Sequence, residues 1–407
     1  MEWIKHRITK IEPWQRTLYI LFFAQMMVAV GFASIFPFLP FYVEQLGSST
    51  GLSIELLSGL VFSAQSFTMM IASPMWGVIA DRYGRKLMVE RSMFGGAAIL
   101  LLMAFVVSAE QLVFLRAIQG LITGTVAAAN ALLASMTPRR QMGYAMGLLS
   151  VGLGTGIALG PLIGGAVADA YGYSVAFYIT AAMLFLAGLM VWIGVHENFD
   201  PQAVKAQKSS GVISAWRGMM GAPGLSMTFL VRFLASLGSM MIFPIMPFFI
   251  QTLMTDTEKL NTFTGLVMGA SSAATTVSAI FLGRLGDRTS HRNVLIACIF
   301  VLAGLYGLQG FSTASWHLLV MQALVGVAMG GVIPAISALL ATYGPAGAEG
   351  AIYGMDNSIN SAGRTVAPLL GAALAAPFGL PAVFVATGLV FLFTAGLAAW
   401  RLPPARS

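Results

Sequence analysis

The sequence predicts an all-α integral membrane protein with twelve transmembrane helices in two pseudo-symmetric six-helix bundles. Composition is the first indication, because 57% of the 407 residues are hydrophobic and 9% are charged, whereas soluble domains average about 25% charged residues. The second indication is a succession of long apolar segments separated by short polar loops. The third is an internal repeat, in which patterns of the first half recur about 206 residues later.

A helix needs about 20 predominantly apolar residues to cross a bilayer, and the chain contains twelve such segments, which we number spans 1 to 12. Spans 1 to 6 are Thr17–Phe41, Ile54–Ala80, Met88–Ser108, Gln111–Ser135, Gly143–Ala170 and Ser174–His196. Spans 7 to 12 are Gly224–Leu253, Leu260–Leu285, Asn293–Phe311, Ser315–Tyr343, Gly350–Pro377 and Pro381–Trp400.

The longest polar stretch separates the two groups of six spans. We therefore expect an N-terminal bundle at residues 1–196, a cytoplasmic linker at residues 197–223 and a C-terminal bundle at residues 224–407. Eighteen of the 22 Lys and Arg residues fall on one side of this topology, whereas the other side holds Lys259 and six acidic residues. Cytoplasmic loops are enriched in Lys and Arg, so both termini are predicted to be cytoplasmic.

A two-proline stretch is the clearest part of the repeat. IFPFLPFYVEQL at Ile35–Leu46 returns as IFPIMPFFIQTL at Ile242–Leu253, with both prolines kept. Proline removes a backbone donor and bends a membrane helix, so spans 1 and 7 are predicted to bend at the same end. Such bends either let the two helices open and close over a central path or serve as static packing kinks. Two halves of equal topology form a parallel repeat.

The loop between spans 2 and 3 reads GVIADRYGRK and has a weaker copy, GRLGDRTSHR, between spans 8 and 9. The first copy resembles the loop motif of the major facilitator superfamily, Gly-x-x-x-Asp-Arg-x-Gly-Arg-Lys, at all six specified positions. The resemblance implies a latch, in which Asp81 caps the start of span 11 in one conformational state only. The alternative is that the positive charges of this loop only fix the orientation of the chain in the membrane. The predicted latch residues are Gly77, Asp81, Arg82, Gly84, Arg85, Lys86, Asp287 and Arg288.

Two further stretches carry the resemblance. LVFLRAIQGLITG in span 4 is similar to the helix-4 motif of that superfamily, and GLGTGIALGPLIGG in span 5 is similar to the helix-5 motif of its exporters. Together they resemble the 12-span drug:proton antiporters. Glycines four residues apart share one helix face and allow close packing. This pattern suits either a helix that rocks against its neighbour or a helix that is packed tightly and does not move. The residues of this motif are Gly152, Gly156, Gly160, Pro161 and Gly164.

Four charged residues lie at least five residues from either end of a span, namely Arg116, Arg232, Asp356 and Arg364. One Arg or Asp at the centre of a membrane helix costs about 2.5–3.5 kcal/mol on insertion scales, so a polar cavity or buried pairs must accommodate them. The resemblance places helices 1, 4, 7 and 10 around such a cavity. The predicted substrate-cavity residues are Gln25, Gln65, Arg116, Asn130, Arg232, Gln322, Asn357, Asn360 and Arg364.

Two residues are candidates for proton coupling. Asp356 either carries the proton or is a partner in the inner latch, held ionised by a nearby arginine. Arg116 is a candidate through its place in the helix-4 motif. Many drug:proton antiporters have an acidic residue in helix 1 or in the middle of the cavity, whereas this chain has Gln25 in helix 1. The position of the proton site therefore stays open.

The resemblance implies a secondary active transporter of the bacterial cytoplasmic membrane that exports amphiphilic drugs by proton antiport and works as a monomer. Three arginines against one Asp inside the spans suggest the alternative, a proton-coupled exporter or flippase of an anionic or lipid-like metabolite. The sequence contains no phosphate loop, zinc motif or nucleophile elbow, which argues against an enzyme. We expect no cofactor, no metal and no nucleic acid, because the basic residues are dispersed over many loops.

Overall fold

The computed structural model describes residues 12–197, 223–344 and 349–403, and within these ranges all regular structure is helical. The N-terminal half contains α1 (Pro13–Ser34), α2 (Leu39–Leu46), α3 (Ile54–Tyr83), α4 (Arg85–Met103), α5 (Ala109–Ile122), α6 (Thr125–Met136), α7 (Met142–Tyr171) and α8 (Tyr173–Gly194). The C-terminal half contains α9 (Pro223–Met241), α10 (Met246–Leu253), α11 (Leu260–Arg288), α12 (His291–Gln309), α13 (Ser315–Tyr343), α14 (Glu349–Phe378) and α15 (Leu380–Arg401).

Ten helical segments of the described residues are long and apolar enough to cross a membrane. They correspond to ten of the twelve predicted spans, and the remaining two, spans 3 and 11, form the helices α4 and α14. Both of these helices contain charged residues, among them Glu90 and Arg91 in α4 and Asp356 and Arg364 in α14. Charged residues lower the apolar character of a segment more than any other kind.

The predicted bends in spans 1 and 7 are confirmed. α1 ends at Ser34 and α2 begins at Leu39, and the equivalent break separates Met241 from Met246. A third break was not predicted. Span 4 is divided into α5 and α6 at Gly124, which has a φ of +144°, whereas the equivalent Gly330 lies inside the unbroken helix α13.

The same helix pairs pack in both halves. In the N-terminal half α1 packs on α7, α3 on α5, and α4 on α8; in the C-terminal half the equivalent pairs are α9 with α14, α11 with α13, and α12 with α15. One hydrophobic core is built from residues of the first half, and a second core is built, apart from Phe41, from residues of the second half. The two halves meet along α7 with α11 and along α3 with α14.

We name the two ends of the molecule by their charge. The basic end is where α1 begins, α3 ends and α11 ends, and the acidic end is where α2 ends, α7 ends and α11 begins. At the acidic end the halves touch through backbone atoms, because a Cβ at Gly165 would collide with the carbonyl group of Asn261. Toward the basic end, Cβ atoms at Gly147 of α7 and Gly354 of α14 would meet nothing within 4 Å, so neither position packs against another helix.

Candidate functional site

Equivalent aromatic residues of the repeat meet each other at the acidic end. Phe36 and Phe243 pack edge to face with ring centroids 5.7 Å apart, and Phe41 and Phe248 do the same at 5.6 Å. Edge-to-face packing is a favoured aromatic geometry. The doubled proline stretch therefore forms an apolar seal between the two halves, made by residues that occupy the same position in each half.

A polar contact closes the same end beside this seal. The Asp169 carboxylate, in the last turn of α7, accepts hydrogen bonds from the backbone N–H (3.2 Å) and the side-chain amide (2.7 Å) of Asn261. It also accepts bonds from the backbone N–H (2.7 Å) and hydroxyl (2.6 Å) of Thr262. Because both donors open α11, the carboxylate of one half caps a helix N-terminus of the other. We call this contact the outer cap.

An apolar cavity of about 200 Å³ lies between the halves, behind the aromatic seal. Phe36 and Phe243 form part of its wall, and most of its lining comes from the C-terminal half. Four methionines line it, namely Met240, Met246, Met268 and Met329. Gln322 is the one predicted substrate-cavity residue in this lining.

Asp356 of α14 forms an ion pair with Arg232 of α9, with 3.2 Å between Oδ1 and Nε, and both side chains are mostly buried. The two atoms are not aligned as a hydrogen bond, so the contact is mainly electrostatic. Among the predicted arginines, the partner of Asp356 is thus Arg232 and not Arg364, which lies two turns further along the same helix.

Arg116 of α5 is held inside the N-terminal half and is 1% exposed. Its Nε donates to the carbonyl oxygen of Val61 (3.3 Å), and its Nη1 donates to the Gln119 amide oxygen (2.8 Å). Its guanidinium carbon lies 5.9 Å from the ring centroid of Phe62. Its Nη2 is buried and has no hydrogen-bond partner among the described residues.

Arg364 is the second arginine without a carboxylate. Its Nε is buried and has no hydrogen-bond partner in the described part of the chain. It lies close enough to Arg116 and to Arg232 for charge repulsion with both. Arg364 thus lies within electrostatic range of one predicted arginine in each half, and Asp356 is the acidic residue paired with Arg232. We call these four residues the charged cluster.

The other predicted cavity residues are less closely grouped. Gln25 is buried, and its amide donates to the carbonyl oxygen of Thr125 (3.2 Å). Asn130 and Asn357 are exposed, and Gln65 and Asn360 are partly buried. These polar residues lie on α1, α3, α6 and α14, and none of them lines the cavity described above.

The predicted latch is only partly described. The surroundings of Gly77 and the side chains of Asp81 and Arg82 are not described, so the cap on the start of span 11, which forms α14, stays a prediction. Gly84 makes the turn between α3 and α4 with a φ of +101°, a conformation that favours glycine.

The start of α4 has a cap that was not predicted. Glu197 accepts the backbone N–H groups of Arg85 (3.1 Å) and Lys86 (2.7 Å), and Lys86 Nζ donates to the carbonyl oxygen of Trp192 (3.0 Å). In the repeat, Asp287 is 71% exposed and pairs with His291 one turn along (3.2 Å), and Arg288 is exposed.

The glycine face of α7 packs against α1 of the same half. A Cβ at Gly156 would meet Ala29 and the carbonyl of Met26, and one at Gly164 would collide with the backbone of Ser34. Gly152 and Gly160 likewise abut α1. Contact with the other half comes from the neighbouring positions, where the carbonyl of Pro161 touches Gly265.

Two similar helical halves, with a charged cluster and a cavity between them, define a membrane transporter built from a parallel repeat. The family model described as Major Facilitator Superfamily matches residues 21–253 and, a second time, residues 228–407. The chain belongs to the major facilitator superfamily, a family of transporters and not of enzymes.

Curated relatives cover nearly the whole chain. Multidrug resistance protein MdtG of Salmonella dublin is 36% identical over 383 residues, which are 94% of each chain. The protein of the same name from Serratia proteamaculans is 36% identical over 394 residues, covering 97% of this chain and 95% of its own. Among solved structures, the nucleoside transporter NupG superposes with a TM-score of 0.81 at 13% identity, covering 95% of this chain and 100% of its own. That likeness concerns the fold.

Proposed function

We propose that this protein exports amphiphilic small molecules across the bacterial cytoplasmic membrane by proton antiport, with alternating access of a central cavity. The observation that carries the proposal is the closed contact of the two halves at the acidic end, made by the aromatic seal and the outer cap, with a cavity behind it. Toward the basic end, Gly147 and Gly354 have open space beside them. The relatives named multidrug resistance proteins support a drug-like substrate.

The topology that goes with this proposal has α4 and α14 crossing the membrane as well, which makes twelve spans divided at residues 197–223. The basic end then faces the cytoplasm, as the distribution of Lys and Arg favours. The seal of aromatic pairs and the outer cap face outward. The protein works as a monomer, with protons, a small molecule and lipid as its partners.

The charged cluster supports a second candidate, a proton-coupled exporter or flippase of an anionic or lipid-like metabolite. Arg116 and Arg364 each have a buried nitrogen without a hydrogen-bond partner among the described residues, and Asp356 is engaged by Arg232. An unpaired buried charge is costly, so an anionic group on the substrate would stabilise this cluster.

Transport by inside-out membrane vesicles tests both candidates. We expect vesicles with an acidic lumen to accumulate ethidium, and nigericin, which collapses the pH gradient, to abolish the accumulation. The anionic amphiphile 8-anilinonaphthalene-1-sulfonate replaces ethidium in a parallel assay, and its preferential accumulation would favour the second candidate. Accumulation of either probe that requires ATP or persists after nigericin would contradict proton antiport.

Removing the outer cap should favour the outward-open state. Asp169→Asn keeps the size of the side chain but loses the charge that accepts bonds from Asn261 and Thr262. One hydrogen bond to a charged group contributes about 1.5–3 kcal/mol, so we expect the outward-open population to rise about tenfold or more. In the outward-open state, the two halves are further apart at the acidic end. Electron–electron distance measurements between spin labels at Tyr171→Cys and Phe311→Cys, in a Cys298→Ser background, would detect that longer distance.

Asp256→Asn is the matched control, because Asp256 is an exposed acid of the same end whose carboxylate accepts only the nearby backbone N–H of Glu258 within the described residues (2.9 Å). Its distance distribution should equal that of the labelled parent. An unchanged distribution in Asp169→Asn would show that the outer cap does not hold the halves together.

A further inference from the structure

Gln322 of α13 places an amide in the wall of the apolar cavity. The side chain is 8% exposed, and no charged residue contributes to the lining. Three of the hydroxyl groups in the lining, those of Ser239, Ser272 and Thr275, donate to backbone carbonyls of their own helices. The hydroxyl groups of Ser271 and Tyr306 also line the cavity, and Gln322 carries the one side-chain amide among the lining residues.

A second glutamine determines the orientation of that amide. Gln309, at the end of α12, is 0% exposed, and its Nε2 donates to Oε1 of Gln322 at 2.9 Å. The Nε2 of Gln322 then faces the Met246 sulfur at 3.8 Å. In the reversed orientation, the amide oxygen of Gln322 would face the Met246 sulfur. Both atoms are hydrogen-bond acceptors, so no hydrogen bond could form between them.

The amide nitrogen of Gln322 is thus left with a weak acceptor. Thioether sulfur accepts hydrogen bonds poorly, and a buried donor without a good partner costs about 1–3 kcal/mol. A ligand oxygen that entered the cavity would meet a donor already aimed at it. Because Gln309 holds the Gln322 oxygen, that donor needs no reorientation on binding, which lowers the entropic cost.

We propose that this cavity is a binding subsite for an uncharged, compact apolar group that carries one hydrogen-bond acceptor oxygen, such as an aryl ketone or ester. Gln322 donates the hydrogen bond, and Gln309 is its positioning residue. The four methionines provide a polarisable wall that adapts to different rings. A volume of about 200 Å³ is below the roughly 300–1,000 Å³ of pockets for whole drug-sized ligands, so the subsite takes one part of the molecule.

This assignment deepens the proposed export function and rests on it for the claim that the occupant belongs to a transported molecule. A charge and a hydrogen-bond acceptor on the substrate would be recognised in different places. Arg116 lies beside Phe62, whose ring contacts Phe36 and Phe243 at centroid distances of 5.9 and 6.4 Å. Those two phenylalanines line the cavity, so an aromatic layer separates the two regions.

A pair of probes of similar size isolates the hydrogen bond. Binding of 4-fluoroacetophenone and of 1-ethyl-4-fluorobenzene to the full-length protein in nanodiscs is measured by fluorine NMR, with empty nanodiscs subtracting partition into lipid. The parent protein should bind the ketone roughly 2- to 10-fold more tightly than the hydrocarbon, the range that one net hydrogen bond provides.

Gln322→Met keeps an unbranched side chain of similar volume and should bring the two affinities to equality. Gln309→Met should reduce the ratio without removing it, because the amide of Gln322 loses its orientation but not its donor. Gln111→Met, at an exposed helix start where the side chain caps Val107, should keep the parent ratio. Met329→Trp should fill the cavity and weaken both probes.

Equal binding of the two probes by the parent, or a ratio that survives Gln322→Met, would overturn the assignment. Probe binding that persists in Met329→Trp would place the probes elsewhere and would overturn it as well. The measurement needs no gradient and no transport, so failure of the subsite leaves the vesicle result intact. Conversely, a protein that showed the predicted ratio but no proton-driven accumulation would contradict only the proposed function.

Discussion

Replacing Asp356 with Asn is expected to lower proton-driven transport roughly 100-fold or more, because removing one partner of a buried ion pair costs about 3–5 kcal/mol. The carboxylate of Asp356 lies 3.2 Å from Arg232 Nε, and Arg364 is near enough to repel the same guanidinium. Without the carboxylate, Arg232 would remain within electrostatic range of Arg364 with no acidic partner in the cluster. The loss should be visible in accumulation of ethidium by acid-loaded vesicles.

A charge-swapped double variant distinguishes the two roles of Asp356. Arg232→Asp with Asp356→Arg restores a pair but moves the carboxyl to α9. If Asp356 acts only as the ion-pair partner of Arg232, Asp356→Asn should lose substrate exchange in the absence of a gradient. The swapped double variant should then recover that exchange. If Asp356 carries the proton, Asp356→Asn should keep that exchange and lose only the response to pH. Asp256→Asn is the control, and a fully active Asp356→Asn would contradict both roles.

The apolar segments predicted the positions of the helices well, because a helix buried in lipid must be long and apolar. Apolar length and the doubled prolines together predicted the helices and the breaks at Ser34 and Met241, whereas the orientation inferred from the basic loops stays a prediction. The break at Gly124 escaped prediction, since its repeat equivalent Gly330 sits inside a continuous helix. A glycine with a positive φ and a glycine that allows close packing look alike in a sequence.

The site was harder to predict, because helix rotation decides which polar residues meet. Four ionisable residues inside the spans were evident from the sequence, but the choice of Arg232 as the partner of Asp356 depends on how α9 packs on α14. Asp169 is one of the six acidic residues of the predicted outer side and Glu197 begins the predicted linker. Neither was predicted to cap a helix N-terminus, although both do. The signal available in the sequence was an acidic residue at the end of one apolar segment and an Asn-Thr pair opening another.

Gln309 had no signal of its own, since a lone glutamine at the end of an apolar segment is compatible with an interfacial position. Its burial follows from the contact between α12 and α13, which brings it to the amide of Gln322. Pairing of two amides inside an apolar bundle satisfies one hydrogen bond of each. Such a pair becomes recognisable only when the register of the two helices is known.

Substituting valine for Gly164 is expected to abolish folding of the N-terminal half, with at least a tenfold loss of monodisperse protein. Any Cβ at this position would overlap the carbonyl group of Ser34, which is backbone and cannot rotate away. Ser34 is itself held by hydrogen bonds from its hydroxyl to the carbonyl of Gly31 (2.8 Å) and with Thr180 (3.0 Å). Close packing of small residues is what holds helices together in lipid, so α1 and α7 would separate.

Gly147→Ala provides the control on the same helix. A Cβ there meets nothing within 4 Å, and alanine stabilises a helix interior by about 0.5–1 kcal/mol relative to glycine, so the thermal midpoint should equal or exceed that of the parent. The single Cys298 is buried and reports unfolding when a thiol-reactive fluorophore is present during heating. If Gly164→Val matched Gly147→Ala in yield and midpoint, the contact between α1 and α7 would not be the tight backbone interface described above.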